Sequence, residues 1–302
     1  MKKILITGVS GQDGSILSNL YLRKKYKVFG FIKKSQRTKI KGVKYKINDL
    51  TSKKKLFRHL REIQPNIVIH LASSNNSFSS RKKNSSYRID YLKNVECTKN
   101  LIEAILKNNL YLRFIFAGSS LMFKKKLNGK VTEKDKFNST EYYSRYKIES
   151  SKILSSINKK NVINATTAIL FNHDSIFRNK KFLIPKLILS FKNKNLKFIE
   201  RIYKKNISGD FSHAEDICLG IYKLSLSKKK IDRIILSSGT RFYLNKIIIF
   251  LENYFNLKIK KSILINRSNK NIVGSNNLAK KLISYKVKKD PIIMCKEMIE
   301  NL

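Results

Sequence analysis

Apolar residues in the first 170 positions occur in two alternating textures. Some form short unbroken runs, and others recur every three or four residues along longer stretches. The runs read as strands buried on both faces, the stretches as amphipathic helices. Strands are expected over Lys2–Thr7, Lys27–Ile32, Val43–Ile47, Asn66–Leu71, Leu112–Ala117 and Val162–Leu170. A first helix is expected after Gly14, with Ile16, Leu17, Leu20 and Leu22 facing inward. Others are expected over Ser52–Ile63, Tyr87–Asn108 and Ser139–Ser156, the second of these with Leu101, Ile102, Ile105 and Leu106 at core spacing. Strands alternating with helices imply an α/β protein, a doubly wound parallel sheet of Rossmann type. Ligands of such sheets bind beyond the carboxyl ends of the strands, so Thr7, Ala72 and Ser119 would open on one crevice. At 302 residues a second lobe is expected as well. Residues 1–170 would form the larger lobe, with 207–250 returning to it, and 171–206 with 251–302 a smaller substrate lobe.

The join between the first strand and the first helix sharpens this picture. It reads Gly8-Val9-Ser10-Gly11-Gln12-Asp13-Gly14. Gly8 would permit the tight turn, Gly11 the approach of a pyrophosphate, and Gly14 close helix–strand packing. The helix N-terminus then offers amides and a positive dipole end to phosphates. Glycines also serve plain turns; the strand before and the helix after favour the dinucleotide reading. Asp13 would cap or orient amides in this loop. An acid after the second strand would take the ribose 2′-hydroxyl of NAD, whereas basic groups suit the 2′-phosphate of NADP. Here stand Lys33, Lys34, Ser35 and Arg37, with no acid between Val28 and Lys46. Lysine is abundant everywhere, so the basic pair alone could be background; with the missing acid it favours NADP over NAD. The fourth strand's tip, Leu71-Ala72-Ser73, would line the same site.

Composition changes the picture little. Sixty-five lysines and arginines against 20 acids give a net charge of +45. The cations are spread along the whole chain and Ile and Asn are inflated as well, which marks a compositional bias and not a recognition stripe. Specific nucleic-acid binding is therefore not expected, although the charge suits anionic substrates. Cys97, Cys218 and Cys295 lack paired spacing and are expected to be reduced thiols. The run Ile4–Ile6 after Met1-Lys2-Lys3 is too short for a signal segment, and no stretch approaches the ~20 apolar residues of a membrane helix. A cytoplasmic protein with no membrane partner is expected. His173 and His213 lack a third ligand at suitable spacing, so no metal is expected and packing or hydrogen-bonding roles are favoured for both.

Chemistry is carried by three residues. Ser119 and Ser120 stand at the end of the fifth strand, and Tyr143 and Lys147 share one face of the next helix. A tyrosine titrates near pH 10. A neighbouring ammonium and a positively charged nicotinamide favour its phenolate. Tyr143 could then take a proton from a sugar hydroxyl as hydride leaves, with Ser119 bonding the same oxygen and Lys147 also holding the nicotinamide ribose. A surface Tyr and Lys could share this spacing by chance; the glycine loop and the strand-end serine favour function.

The segments ITGVSGQDGS (Ile6–Ser15), ILFNHDS (Ile169–Ser175) and DFSHAED (Asp210–Asp216), with YxxxK, resemble the GDP-mannose 4,6-dehydratase branch of the extended short-chain dehydrogenases. The tail SNNLAKKLISYK, Ser275 to Lys286, resembles the closing segment of such nucleotide-sugar enzymes. The resemblance implies an NADP-dependent lyase acting by hydride transfer at sugar C4 on a nucleotide-linked substrate, in a dimer or tetramer. By the same resemblance Asn172, Arg178 and Lys186 would bind the nucleotide diphosphate with Ser120 in the substrate site. Asp49 and Leu50 would lie against the adenine, and Asn94 would be a structural asparagine.

The departures matter too. The branch carries Ser-Thr-Ser-Glu at the fifth strand end, its glutamate removing the C5 proton; this chain has Gly118-Ser119-Ser120-Leu121. The arginine-rich stretch before the family's Asp-Trp motif is replaced by Asn206-Ile207-Ser208-Gly209. A 4-keto-sugar reductase or epimerase needs only the Ser/Tyr/Lys set and is the alternative. A non-catalytic cofactor- or nucleic-acid-binding relative is a more distant one.

Overall fold

The unbroken apolar runs pair as strands because both faces of each are covered, and Ile4, Leu5, Ile6, Val68 and Ile69 are wholly buried. A computed structural model describes the chain except residues 34–39, 74–83, 125–128, 140, 161–162, 262–270 and 302, and the side chains of 84–86. In chain order the first elements are β1 (Lys3–Thr7), α1 (Gln12–Arg23), β2 (Lys27–Ile32), β3 (Lys44–Ile47), α2 (Lys53–Ile63) and β4 (Ile67–His70). There follow α3 (Asn84–Lys107), β5 (Arg113–Ser119), α4 (Tyr142–Lys159) and β6 (Asn164–Leu170). One seven-stranded sheet runs β10-β6-β5-β4-β1-β2-β3, where β10 is Arg233–Leu236. The pairs β1–β2, β1–β4, β2–β3 and β4–β5 are parallel. The chain leaves β1 toward β2 and β3 and returns to its other side as β4, so the strand order reverses beside β1, where such sheets bind ligands. Thr7 is level with Phe31 of β2 and His70 of β4, which aligns the carboxyl ends.

Among the boundaries that differ from the sequence pattern, two have a local reason. The strand β5 continues past the apolar run to Ser119. Gly118 lets it do so, because a Cβ there would meet Thr167 Cγ2 at 2.9 Å. The helix α4 starts at Tyr142 and not at Ser139. Ser139 Oγ shares a hydrogen bond with Ser144 Oγ, which donates to Glu141 O, so these hydroxyls serve the turn before the helix.

The chain divides into two compact units. The first comprises Met1–Lys124, Lys136–Ile169 and Cys218–Ile234. Its core joins the sheet to α2, α3 and α4 through Leu56, Leu60, Leu101, Ile105, Phe114, Phe116 and Tyr146. The returning segment is shorter than the 207–250 expected from the sequence. It is fixed by side chains: Tyr21 Oη donates to Ser225 Oγ at 2.6 Å, Arg113 Nε to Leu224 O at 3.3 Å, and Asn158 Nδ2 to Asp232 Oδ1 at 2.8 Å.

The second unit comprises Lys125–Asp135, Leu170–Ile217 and Ile235–Leu302. It contains β7 (Asn172–Asp174), paired in parallel with β9 (Phe211–His213), and β8 (Ser208–Gly209), antiparallel to β11 (Phe242–Tyr243). Helices α5 (Leu183–Lys192), α6 (Leu196–Lys204), α8 (Leu244–Tyr254) and α10 (Pro291–Glu300) enclose Ile184, Leu187, Ile199, Leu244, Ile248, Leu251 and Met294. The helix α7 (Ala214–Leu226) supplies its first residues to this unit, and α9 (Asn277–Ile283) lies in the tail. Among the described residues no helix is long and apolar enough to cross a membrane.

Between β8 and β9 sits Asp210, fully buried. Its carboxylate accepts from the amides of Ser238 at 2.8 Å, Gly239 at 3.2 Å and Gly274 at 3.3 Å. Burial raises its pKa while those donors oppose the rise. Asp210→Asn removes the buried charge but turns an NH2 group toward amides that also donate, and the lost acceptor outweighs the relief. The variant is expected to lose about 2–3 kcal/mol in urea unfolding at neutral pH; unchanged stability would show that the charge itself is the larger cost.

Candidate active site

The glycine loop fits its geometry through close approach. Gly8 has φ +74°, and a Cβ on it would lie 2.8 Å from Ala72 N. A Cβ on Gly14 would lie 2.4 Å from Gly8 O and 2.6 Å from Val9 Cα, backbone atoms that cannot yield. Gly11 caps α1, and its amide donates to Gly8 O at 3.0 Å. The first turn of α1 thus stands against the tip of β1 with its amides directed out of the sheet's end.

Beyond this tip lies a cavity of ≈ 450 Å³. Of the cofactor residues expected from the sequence, Gly8, Ser10, Gly11, Lys33, Asp49, Leu50, Leu71, Ala72 and Ser73 line it. Gln12, Asp13 and Gly14 do not; they form the start of α1 behind the loop, with Gln12 Nε2 donating to Asp13 Oδ1 at 3.2 Å. Lys34 and Ser35 lie outside the described residues. The sequence pattern did not single out Phe31, Ile32, Asn48, Lys93 or Cys97 as lining, and it gave Asn94 only a structural role. A cradle of glycines that side chains would fill, with a helix N-terminus behind it, fits a dinucleotide pyrophosphate.

Below the cavity runs a buried polar chain that the sequence reading also missed. Ala72 N donates to Thr7 Oγ1 at 3.2 Å, and Thr7 Oγ1 lies 2.6 Å from His70 Nδ1. His70 Nε2 is 3.1 Å from Thr98 Oγ1, which itself donates to Asn94 O at 3.1 Å. With Thr98 donating onward, the His70 proton belongs on Nε2 and Thr7 donates to Nδ1. Burial, helped by the nearby charge of Lys147, pushes the His70 pKa down to about 3, so the ring is neutral. Ser150 Oγ donates to Thr98 Oγ1 at 3.4 Å, which joins this chain to α4.

The residues expected from the sequence to carry chemistry stand on β5 and α4. Ser119 is half-buried, and its Oγ accepts from Leu121 N at 3.2 Å, which leaves the hydroxyl hydrogen to donate elsewhere. Tyr143 is half-buried on α4, with the Lys147 ammonium 5.6 Å from its ring centre. Lys147 is almost wholly buried; its Nζ donates to Ala117 O at 2.6 Å and packs 4.8 Å from the Phe116 ring. Desolvation lowers its pKa to about 7, while Asp13 opposes the shift. Ser120 is buried on the turn after β5, whereas the Leu121 side chain is 52% exposed.

Three expected substrate residues lie in the second unit. Asn172 opens β7 and is exposed, and Lys186 on α5 is exposed with its Nζ 4.8 Å from the Phe198 ring. Arg178 pairs with Asp174 at 2.7 Å and stacks its guanidinium 3.6 Å over Phe182. His213 Nδ1 accepts from Glu215 N at 3.1 Å, and its Nε2 meets Glu297 at 2.8 Å. Among the described residues no group of three or more His, Cys, Asp or Glu is arranged to hold a metal ion.

A glycine-cradled Rossmann sheet with Ser, Tyr and Lys at the ends of β5 and α4 defines the extended short-chain dehydrogenase/reductase class. A profile of the GDP-mannose 4,6 dehydratase family matches residues 5–291, and the chain belongs to that family. It is 28% identical over 268 residues to GDP-mannose 4,6 dehydratase 2 of Caenorhabditis elegans, covering 80% of this chain and 67% of the relative. It is 27% identical to the Homo sapiens GDP-mannose 4,6 dehydratase, over 89% of this chain and 76% of the relative. Against the Yersinia enterocolitica enzyme, at 29% identity, the alignment takes in 72% of this chain and only 62% of the relative's length. In fold it resembles the UDP-Glc/GlcNAc 4-epimerase of Campylobacter jejuni, with TM-score 0.83, 18% identity and coverage of 100% and 99% of the two chains. The dTDP-glucose 4,6-dehydratase of Bacillus anthracis, solved with NAD, gives TM-score 0.82 at 14% identity over 99% and 96%.

Lys147 yields a test with a definite sign. Its folded pKa of about 7 lies below the ordinary 10.5, so the unfolded chain holds the extra proton between these values. Stability from this group therefore rises with pH across that window, and the buried lysine costs the fold most below about pH 7. Lys147→Met is expected to stabilise the protein by about 1–3 kcal/mol, more at pH ~6 than at pH ~9, while removing activity. Thermal unfolding at the two pH values measures it, and a uniform loss of stability would contradict the assignment.

Proposed function

We propose that this protein is an NADP-dependent enzyme that moves hydride at C4 of a nucleoside diphosphate sugar. The observation that carries this reading is Lys147, a buried ammonium held on α4 beside Tyr143 and one strand end from Ser119. Ser119 donates to the C4 oxygen and orients it. Tyr143 takes the hydroxyl proton as phenolate when the alcohol is oxidised, and returns it when the ketone is reduced. Lys147 lowers the cost of that phenolate and bonds the cofactor ribose. When bound, the nicotinamide supplies the hydride acceptor or donor. Water is kept from this chemistry by the buried surroundings of Lys147, where electrostatic interactions are strongest.

GDP-mannose is the first substrate to test, given the family. The dehydratase reaction also needs a base at C5. A second reading, reduction or epimerisation of a 4-keto sugar, is favoured by Leu121, an exposed apolar side chain at the position where the family's glutamate is expected.

Purified protein with NADP and GDP-mannose is expected to form a 4-keto-6-deoxy product if a group other than Leu121 removes the C5 proton. If no keto product forms, but 4-keto sugar is consumed with NADPH, the reductase reading stands. Failure of both reactions across nucleotide sugars would refute the proposal. Leu121→Glu is expected to raise dehydration by at least about tenfold if only the base is lacking; mass spectrometry of the nucleotide-sugar product reads the change.

A further inference from the structure

The helix α3 carries Lys93, Asn94 and Cys97 into the wall of the dinucleotide cavity, while its other positions, Leu101, Ile102 and Ile105, enter the core. Lys93 and Cys97 are four residues apart and so share a helix face. The strand ends supply Phe31, Ile32 and Lys33 from β2 and its exit, and Asn48, Asp49 and Leu50 from the exit of β3. Charge in this cavity is lopsided. Among the described lining residues the cations are Lys33 and Lys93, and the sole carboxylate is Asp49.

Both lysines act on the same groups. Each pulls the Asp49 carboxyl below its usual range, after the larger effect of the Thr51 amide bonded to it, and each acts on Cys97. Lys33 follows β2 and Lys93 stands on α3, and both line the cavity that Asp49 and Cys97 also line. Asp49 is already engaged, accepting from Thr51 N at 3.1 Å. Cys97 adds no negative charge, because burial pushes its thiol up to about 11. Two ammonium groups against one engaged carboxylate leave the described lining of the site positive.

We propose that Lys93 is a specificity-determining residue of the dinucleotide site, whose ammonium, with that of Lys33, selects a ribose carrying a 2′-phosphate over one carrying a 2′-hydroxyl. A phosphate monoester brings about −1.5 to −2 charge and three strong acceptors, which suits a site with two cations. A bare hydroxyl gains little from either lysine. Lysine serves here as a point charge, so the effect weakens with salt and partly survives replacement by arginine.

This inference rests on the NADP reading above, and the experiment separates the two. The probes are 2′,5′-ADP (adenosine 2′,5′-bisphosphate) and 5′-AMP, which differ only in the 2′-phosphate, titrated calorimetrically in low-salt buffer against the wild-type protein, Lys93→Ala and Lys93→Arg. Lys93 is exposed on a helix, and alanine is the best helix former, so folding is not at stake. Lys93→Ala is expected to weaken 2′,5′-ADP about five- to tenfold and to leave 5′-AMP unchanged, with Lys93→Arg recovering part of the loss. If the wild type prefers 2′,5′-ADP but Lys93→Ala binds it equally well, or loses both ligands equally, the role of Lys93 is refuted and the NADP reading stands. If the wild type shows no preference, both fall.

Discussion

The first unit depends on how closely two pieces of backbone approach. The start of α1 rests on the turn after β1 with no side chain between them, and the tip of β4 meets that turn from the other side at Ala72. Everything that faces the cavity is measured from this contact. It sets the direction of the α1 amides and the level of Thr7, and through Thr7 the position of His70. Helix dipole and exposed amides are common to every helix; what is specific here is that two glycines let them reach the end of the sheet.

The second constraint is electrostatic. Keeping an ammonium out of water beside Tyr143 costs stability, and the surroundings limit that cost. Ala117 O accepts one proton, aromatic faces take some of the remaining field, and the neighbouring imidazole is held neutral so that no second cation adds to it. Asp13, whose Oδ1 accepts from Gln12 Nε2, also bears on Lys147 through its charge. Part of the glycine loop therefore supports the residue at the far side of the sheet's end. Titratable groups perturbed in this way by burial concentrate at functional sites.

Much of this was legible in the sequence. Continuous apolar runs such as Ile4–Ile6 and Ile67–Ile69 admit few readings, and the glycine spacing marked the join of β1 and α1. What was hidden had no distinguishing pattern. His70 is a single histidine closing an apolar run, and its bonds go to residues distant in sequence. Lys93 is one of many lysines, and only the phase of α3 against the sheet separates it from a solvated one. Cys97 looked like any buried thiol. Asp210 sat inside a recognised motif, yet its role follows from loops brought together only by tertiary contacts. The extent of α4 was misjudged by one turn because serine before a helix can serve either as a cap or as part of the turn.

The segment Cys218–Ile234 has a consequence for how the chain is made. Tyr21, Arg113, Asn158 and Thr166 all spend their polar atoms on residues between 224 and 232. A nascent chain that has emerged only through β6 holds a nearly complete apolar sheet, yet a row of buried polar groups still awaits partners. The first unit therefore cannot finish ahead of the rest during synthesis. About fifty residues of the other unit, Leu170–Ile217, are delivered before its last piece arrives, and the two must mature in an interleaved order.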